Sequence, residues 1–122
     1  MVEINKLLPV LASLAAFALP FPVPASPGAT DLAEHLKTSK ALYYCSWRCP
    51  ACITQTRLFG DAANKLPYVE CEKPKELPIQ AAACKTAEIR AYPTWILENG
   101  ERREGVQTLE QLKVWTSMPA RP

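Results

Sequence analysis

The sequence has little net charge, a single histidine and no internal repeat. Its 14 lysine and arginine residues and 12 aspartate and glutamate residues leave a formal charge of +2. No basic run or stripe of basic and aromatic residues follows the chain, which argues against nucleic acid and anionic membrane surfaces as partners. The one histidine, His35, falls in a helical pattern and is expected to be a surface residue without a catalytic role.

The chain also lacks a long uninterrupted apolar run. The N-terminal apolar run at residues 7–19 contains one proline and is closed by another, so it is short for a membrane span of about 20 residues. A lysine precedes the run, and the proline-rich stretch that follows it ends with small residues at Ala25, as at the cleavage site of a secretory signal. We expect residues 1–25 to be a signal peptide or an N-terminal anchor. Residues 26–122 are expected to form one exported domain in a compartment where disulfides persist.

Helix-like and strand-like segments alternate along the expected domain. The expected elements are a helix over residues 30–37, a strand over 41–44, a helix from Pro50 to about Lys65, a strand over 68–71, a helix from Ile79 to about Ala87, a hairpin over 94–105 and a helix that opens at Thr108. The order α-β-α-β-α-β-β-α predicts an α/β fold with a central mixed sheet flanked by helices. Parallel pairing through right-handed crossovers is expected, with the hairpin as an antiparallel edge.

Three local signals bear on these elements. Gly60 lies inside the second predicted helix, where glycine costs about 1 kcal/mol relative to alanine. The dipeptide Asn99-Gly100 favours a type I′ turn in the hairpin. Thr108 stands three residues before Gln111, which is the pattern of a capping box at the start of the last helix.

The strongest chemical feature is the stretch YYCSWRCPAC, in which three of the five cysteines lie close together. Cys49 and Cys52 form a Cys-x-x-Cys pair where a strand passes into the helix opened by Pro50. The unpaired N–H groups and dipole of a helix N-terminus stabilise a thiolate at Cys49, and the charge of Arg48 acts in the same direction. Cys52 lies one turn further in and faces the core. This arrangement fits thiol-disulfide exchange, in which one sulfur attacks and the other resolves.

Other interpretations of the cysteines remain open. An inert disulfide that staples a small exported domain uses the same motif. A zinc site of Cys49, Cys52, Cys71 and Cys84 is a weaker alternative, because the second pair is too widely spaced for a zinc ribbon. Cys45 ends the first strand and could pair with either nearby cysteine or with a partner protein; its default interpretation is a small buried apolar residue.

Several motifs and two longer segments of the sequence resemble those of a known protein fold. The Cys-Pro-x-Cys motif, the later Ala91-Tyr92-Pro93-Thr94 and the final hairpin and helix resemble a thioredoxin fold. More narrowly, CPACITQTRLFGDAANKLPYVEC and AACKTAEIRAYPTWILENGERREGVQTLEQL resemble the thioredoxin-like domain that is fused to, or partners, bacterial and plant homologues of vitamin K epoxide reductase. The similarity covers about residues 40–112. It implies a thiol-disulfide oxidoreductase of the periplasm or thylakoid lumen, tethered by its leader if the leader is retained.

The resemblance also implies roles for individual residues. Cys49 would attack and Cys52 would resolve, so that the redox-active disulfide Cys49–Cys52 serves in place of any cofactor. Pro93 would be the cis-proline that faces this disulfide and leaves a backbone edge open to an extended substrate. Trp47 and Thr94 would complete the surface that binds cysteine-containing substrate proteins, and a membrane protein of the vitamin K epoxide reductase type would exchange electrons with the pair.

A second cysteine pair is implied by the same resemblance. Cys71 and Cys84 fall where that family has a cysteine at a strand end and another in the following helix. A structural disulfide would close the proline-rich loop and contribute about 3 kcal/mol in the chain-entropy model. The competing interpretation is a second redox pair that relays electrons to the first.

The sequence departs from the family pattern at two positions. Trp47 would ordinarily precede the first active cysteine directly, whereas Arg48 stands between them here. Ala51 occupies the position where relatives often have histidine. Both departures favour an alternative function, a redox-inactive, disulfide-stapled binding module with the thioredoxin fold. The direction of electron flow stays open, because Arg48 and Ala51 affect the reduced form in opposite ways.

Overall fold

The structure is a computed structural model that describes Pro24, Ser26 and residues 28–119. The expected leader, residues 1–25, lies outside the described residues except for Pro24. In the part of the chain that the structure describes, no helix has both the length and the apolar character needed to cross a membrane.

Helices and strands follow one another in the predicted order. In chain order they are α1 (Ala29–Thr38), β1 (Leu42–Cys45), α2 (Pro50–Arg57), a 3-10 helix (Gly60–Lys65), β2 (Tyr68–Glu70), α3 (Pro78–Thr86), β3 (Thr94–Ile96), β4 (Arg102–Glu104) and α4 (Leu109–Trp115). The strands form one four-stranded sheet in the order β2-β1-β3-β4. This mixed sheet with flanking helices is an α/β, thioredoxin-like fold, so the predicted fold class is confirmed.

The pairing around the central strand β1 is only partly as predicted. β1 runs parallel to β2, with Cys45 opposite Glu70. It runs antiparallel to β3, with Tyr43 opposite Trp95, and β4 is the antiparallel edge. The predicted parallel pairing therefore holds for one pair of strands. The chain between β2 and β3 returns to the opposite edge of β1 and enters the sheet in the reverse direction.

Aromatic side chains hold the sheet to the helices. The ring of Tyr43 on β1 stacks on Trp95 of β3 with centroids 4.2 Å apart, and Phe59 packs against the same indole at 6.3 Å. The Tyr43 hydroxyl donates to the carbonyl oxygen of Cys52 at 3.2 Å and shares a 3.0 Å hydrogen bond with Thr56. Burial raises the pKa of Tyr43 to about 12. The core thus fixes α2 against the end of β1, where the cysteines lie.

The second predicted helix is divided in the structure. α2 ends at Arg57 and a 3-10 helix begins at Gly60, where φ is +55°. Glycine adopts this left-handed conformation without the steric cost that other residues meet. The predicted continuous helix to about Lys65 is wrong, because Gly60 reverses the backbone and lets Phe59 pack in the core with none of its surface exposed.

The hairpin turn also differs from the prediction. The amide of Gly100 donates to Leu97 O at 2.9 Å, and the amide of Leu97 donates to Glu101 O at 2.8 Å. Gly100 has a φ of +89°, while Asn99 does not have a positive φ. A type I′ turn needs positive φ at both central residues, so the predicted turn is wrong; a three-residue loop with glycine in the left-handed position closes the hairpin instead.

The predicted capping box at the start of α4 is confirmed. Thr108 Oγ1 accepts a hydrogen bond from the Gln111 amide at 3.0 Å, and Gln111 Oε1 accepts one from the Thr108 amide at 2.8 Å. At the other end of α4, His35 Nε2 donates to the carbonyl oxygen of Thr116 at 3.0 Å. His35 is therefore half-buried between α1 and α4 and fastens two helices together, where the sequence predicted a surface residue.

Candidate functional site

Cys49 lies at the start of α2. The chain leaves β1 at Cys45 and turns so that the Cys49 amide donates to Ser46 O at 3.1 Å. Cys49 is the N-cap residue, with extended φ and ψ of −81° and 120°, and Pro50 follows at the first helical position. Proline suits that position because its missing N–H would have no partner within the helix. The predicted junction of strand, cysteine and helix is therefore present.

The disulfide at this junction joins Cys45 to Cys52, with an S–S distance of 2.04 Å and Cα atoms 5.9 Å apart. All five cysteines lie within the described residues, and Cys49 is the free thiol among them. The structure thus differs from the expected Cys49–Cys52 bond and from the default interpretation of Cys45 as an unpaired residue. Cys45 is fully buried and Cys52 is 3% exposed, whereas Cys49 is half-buried, so the two most deeply buried of the three cysteines are the ones that are bonded.

The free thiol of Cys49 faces the loop before β3. Its Sγ donates to the carbonyl oxygen of Tyr92 over 4.0 Å, a long contact. The Tyr92–Pro93 peptide bond is cis. Burial raises the pKa of Tyr92, and the nearby carboxylates of Glu72 and Glu70 act in the same direction. The structure therefore brings Cys49 and the loop of Pro93 together, although they are far apart in the sequence.

The three residues expected to bind substrate are not equally accessible. Trp47 is 56% exposed, and the ammonium of Lys73 lies 5.2 Å from the centroid of its ring. Pro93 and Thr94 are fully buried, and the Thr94 hydroxyl donates to Ala91 O at 2.7 Å. In this structure the side chain of Trp47 is exposed to solvent, whereas those of Pro93 and Thr94 are not.

Arg48 is engaged by a carboxylate. Its Nε lies 2.7 Å from Glu72 Oε2, and the same oxygen accepts a hydrogen bond from the Ser46 hydroxyl at 3.0 Å. The hydrogen bond from Arg48, with that from Ser46, lowers the pKa of Glu72. The guanidinium of Arg48 thus forms an ion pair with Glu72, and its role in stabilising a Cys49 thiolate stays a prediction. Sequence reasoning missed Glu72, because nothing in a charged loop indicates which residue folds back onto the turn that carries Arg48 and Cys49.

A buried amide positions α2. The Gln55 side chain is fully buried. Its Oε1 accepts hydrogen bonds from Trp95 Nε1 at 3.2 Å and from the Gln107 amide at 2.7 Å, and its Nε2 donates to Gln107 O at 2.9 Å. These bonds tie α2 to β3 and to the segment before α4. A glutamine in a helical stretch carries no sequence signal for this role.

The second disulfide joins Cys71 to Cys84 with an S–S distance of 2.03 Å. It ties the chain just after β2 to α3 and closes the proline-rich loop between them. The amide of Cys71 donates to Cys45 O at 2.9 Å, so the two disulfides are attached to neighbouring backbone. An open groove of about 700 Å³ beside this disulfide is also lined by Tyr92, the residue that contacts Cys49.

The zinc site considered for Cys49, Cys52, Cys71 and Cys84 is not formed. Three of these four cysteines are in disulfides. Within Pro24, Ser26 and residues 28–119, no three or more histidine, cysteine, aspartate or glutamate side chains come together in a group that could hold a metal ion. The described cysteines are arranged for disulfide chemistry.

No protein-family model matches the chain. Thiol-disulfide oxidoreductase LTO1 of Arabidopsis thaliana is 39% identical to it over 77 residues, which are 61% of this chain and 20% of that protein. The chain therefore spans about a fifth of the length of this relative. The similarity, the four-stranded fold and the disulfides support a thioredoxin-like redox domain.

Proposed function

We propose that this chain is a thiol-disulfide oxidoreductase in which Cys49 attacks and Cys52 resolves. The observation that carries the proposal is the position of Cys49, the free thiol at the N-cap of α2, facing the carbonyl of Tyr92. Free thiols in partly exposed positions at helix N-termini are the ones that exchange with disulfides. The partial similarity to LTO1, a thiol-disulfide oxidoreductase, supports the same reaction class.

The reaction balances in electrons and protons. With both cysteines reduced, the Cys49 thiolate attacks a substrate disulfide, forms a mixed disulfide and releases one substrate thiolate. The Cys52 thiolate then attacks the Cys49 sulfur, releases the second substrate thiolate and leaves a Cys49–Cys52 disulfide. Two electrons pass to the substrate, whose two released thiolates take up the protons that Cys49 and Cys52 lost, and the reverse sequence oxidises a dithiol. From the state in the structure, a dithiol reductant must first open the Cys45–Cys52 bond and supply the two electrons, which frees Cys52 to resolve.

The proposed partners follow from the resemblance over residues 40–112. They are substrate proteins with accessible cysteines and a quinone-linked membrane protein of the vitamin K epoxide reductase type, in the periplasm or thylakoid lumen. The exposed Trp47 ring offers apolar contact area to such a partner beside the attacking thiol. Tryptophan is enriched at protein interfaces because it supplies a large contact with a polar edge.

The test is insulin or glutathione-disulfide reduction by the full chain. Cys49→Ser should abolish the activity, because serine cannot form the mixed disulfide. Thr54→Ser, an exposed change on the same helix, is the matched control and should leave the rate unchanged. Full activity in Cys49→Ser would contradict the proposal.

A second candidate function is a redox-inactive, disulfide-stapled binding module. It is favoured by the burial of Cys45 and Cys52, whose disulfide is hidden from a protein thiol, and by the insertion of Arg48. This alternative predicts that neither disulfide equilibrates in glutathione buffers. A redox titration with thiol trapping and mass mapping of each cysteine separates the two functions, because the oxidoreductase requires Cys52 to respond.

A further inference from the structure

We propose that Cys45 is a third member of the redox centre and that Cys52 exchanges its disulfide partner between Cys45 and Cys49. The proposal rests on the proposed function for its use in catalysis. The exchange itself is a reaction of this chain alone and needs no substrate.

The backbone places Cys52 within reach of both partners. The Cα atoms of Cys45 and Cys52 are 5.9 Å apart in the disulfide that the structure contains. Cys49 and Cys52 are separated by one helical turn, which is formed: the Ile53 amide donates to Cys49 O at 3.1 Å. Side chains at this spacing are neighbours, about 5–6 Å apart at Cβ, and a disulfide forms at slightly shorter Cβ distances. A small backbone shift in the first turn of α2, together with side-chain rotation, therefore decides which sulfur Cys52 binds.

Cys49 is more accessible than the two cysteines of the buried disulfide. Cys45 has no exposed surface and Cys52 is 3% exposed, although a small groove beside Trp47 and Ile53 reaches its side chain. Cys49 is half-buried and packs against the core cluster that contains both bonded cysteines. Rates of thiol-disulfide exchange depend on access to the sulfur attacked. Once Cys49 is part of a disulfide, a protein thiol thus reaches its sulfur more readily than either sulfur of the Cys45–Cys52 bond.

The exchange step is an internal rearrangement. The Cys49 thiol loses its proton to solvent, and its thiolate attacks Cys52 Sγ. The Cys49–Cys52 bond forms as the Cys45–Cys52 bond breaks, and Cys45 leaves with the electron pair and takes up a proton. No net oxidation occurs and no reagent is consumed. The protonated Cys45 suits its site, because a buried neutral thiol costs less than a buried thiolate.

The two isomers differ in what they do. With Cys45–Cys52 bonded, Cys49 forms mixed disulfides but has no free Cys52 to resolve them. With Cys49–Cys52 bonded, the disulfide includes a half-buried sulfur that a substrate dithiol attacks, and the chain accepts two electrons. The Cys45–Cys52 bond therefore keeps the disulfide buried, and exchange to the Cys49–Cys52 bond makes it accessible to a substrate dithiol.

Reduction kinetics test the exchange. The oxidised full chain is treated with dithiothreitol, quenched with acid to protonate the thiolates, alkylated and mapped by mass spectrometry. The Cys45–Cys52 bond should open at a rate at least about tenfold lower in Cys49→Ser than in the wild type, because the route through Cys49 is lost. The Cys71–Cys84 bond is the internal control and should open at the same rate in both chains. Equal opening rates of Cys45–Cys52 in the two chains would overturn the proposal.

The pairing at rest is the second measurement. Acid quenching of the untreated wild type should place the single label on Cys49 in some molecules and on Cys45 in others. Cys45→Ser should contain a Cys49–Cys52 bond and no free thiol. A label on Cys49 alone in every wild-type molecule argues against the exchange.

The two proposals can fail separately. If the label is divided between Cys45 and Cys49 but the chain does not reduce insulin, the proposed function is refuted and partner exchange stands. If the chain reduces insulin but is labelled only on Cys49, partner exchange is refuted and the proposed function stands.

Discussion

Gln55 shows how much of the site depends on one buried side chain. Its amide satisfies the indole N–H of Trp95 and both backbone groups of Gln107 while fully buried. Buried donors and acceptors that lose their partner cost about 1–3 kcal/mol each. The same residue orients α2, and with it the helix start that carries Cys49.

We predict that Gln55→Leu lowers the free energy of unfolding by about 2–3 kcal/mol, since it leaves the buried indole N–H of Trp95 and two half-buried backbone groups of Gln107 without partners. Urea denaturation under non-reducing conditions measures the loss. Gln55→Glu is the matched variant: it keeps the acceptor, and its protonated carboxyl also donates to Gln107 O. The difference in free energy of unfolding between Gln55→Glu and the wild type should therefore become smaller as the pH falls and the carboxyl is protonated. A wild-type free energy of unfolding in Gln55→Leu would show that these hydrogen bonds contribute nothing.

At the scale of elements, the break after α2 has the clearest physical cause. Gly60, the first residue of the 3-10 helix, has a φ of +55°, and Phe59 before it is fully buried. The sequence pattern of apolar residues runs through this point, which is why a single helix was predicted. The periodicity of apolar residues does not reveal that one residue adopts a left-handed conformation with positive φ.

We predict that Gly60→Ala lowers the free energy of unfolding by about 1–2 kcal/mol, the cost of a Cβ in the left-handed conformation. Gly60→Asn should lose less, because asparagine tolerates this conformation better. Thermal or urea denaturation of both variants measures the difference. Had Gly60 lain inside a regular helix, alanine would instead stabilise the chain by about 1 kcal/mol, so a stabilised Gly60→Ala contradicts the structure.

For the whole molecule, the Cys71–Cys84 disulfide links the end of the sheet to α3 across the proline-rich loop. The described domain is small, so few apolar contacts are available to hold that loop. The carbonyl oxygen of Cys45 accepts a hydrogen bond from the Cys71 amide, which connects the Cys71–Cys84 disulfide to the Cys45–Cys52 disulfide through the backbone.

We predict that the double variant Cys71→Ser/Cys84→Ser lowers the free energy of unfolding by about 3 kcal/mol, through the greater entropy of the unfolded chain. Urea denaturation measures this loss. If the pair is a structural staple, insulin reduction should persist in the folded double variant. Loss of that activity with the fold retained, shown by circular dichroism, would instead support the electron relay.

The fold was largely predictable because its signals are local. Alternating apolar patterns located the helices and strands, and the capping box at Thr108 marked the start of α4. The turn at Asn99 and the break at Gly60 were mispredicted, since each depends on the φ of one residue. Strand order and direction also follow from packing across the sheet: β1 pairs with β3 in the antiparallel sense.

The sequence by itself determined that a Cys-x-x-Cys pair stands where a strand meets a helix, because proline, cysteine spacing and apolar periodicity all act over a few residues. Only the tertiary structure decided that Cys52 bonds to Cys45, that Arg48 is held by Glu72 and that Thr94 is buried. Each of those outcomes depends on how deep a side chain lies beneath α2 or on which distant loop folds against it. Such depths and contacts arise when the whole core packs, and no short stretch of sequence contains them.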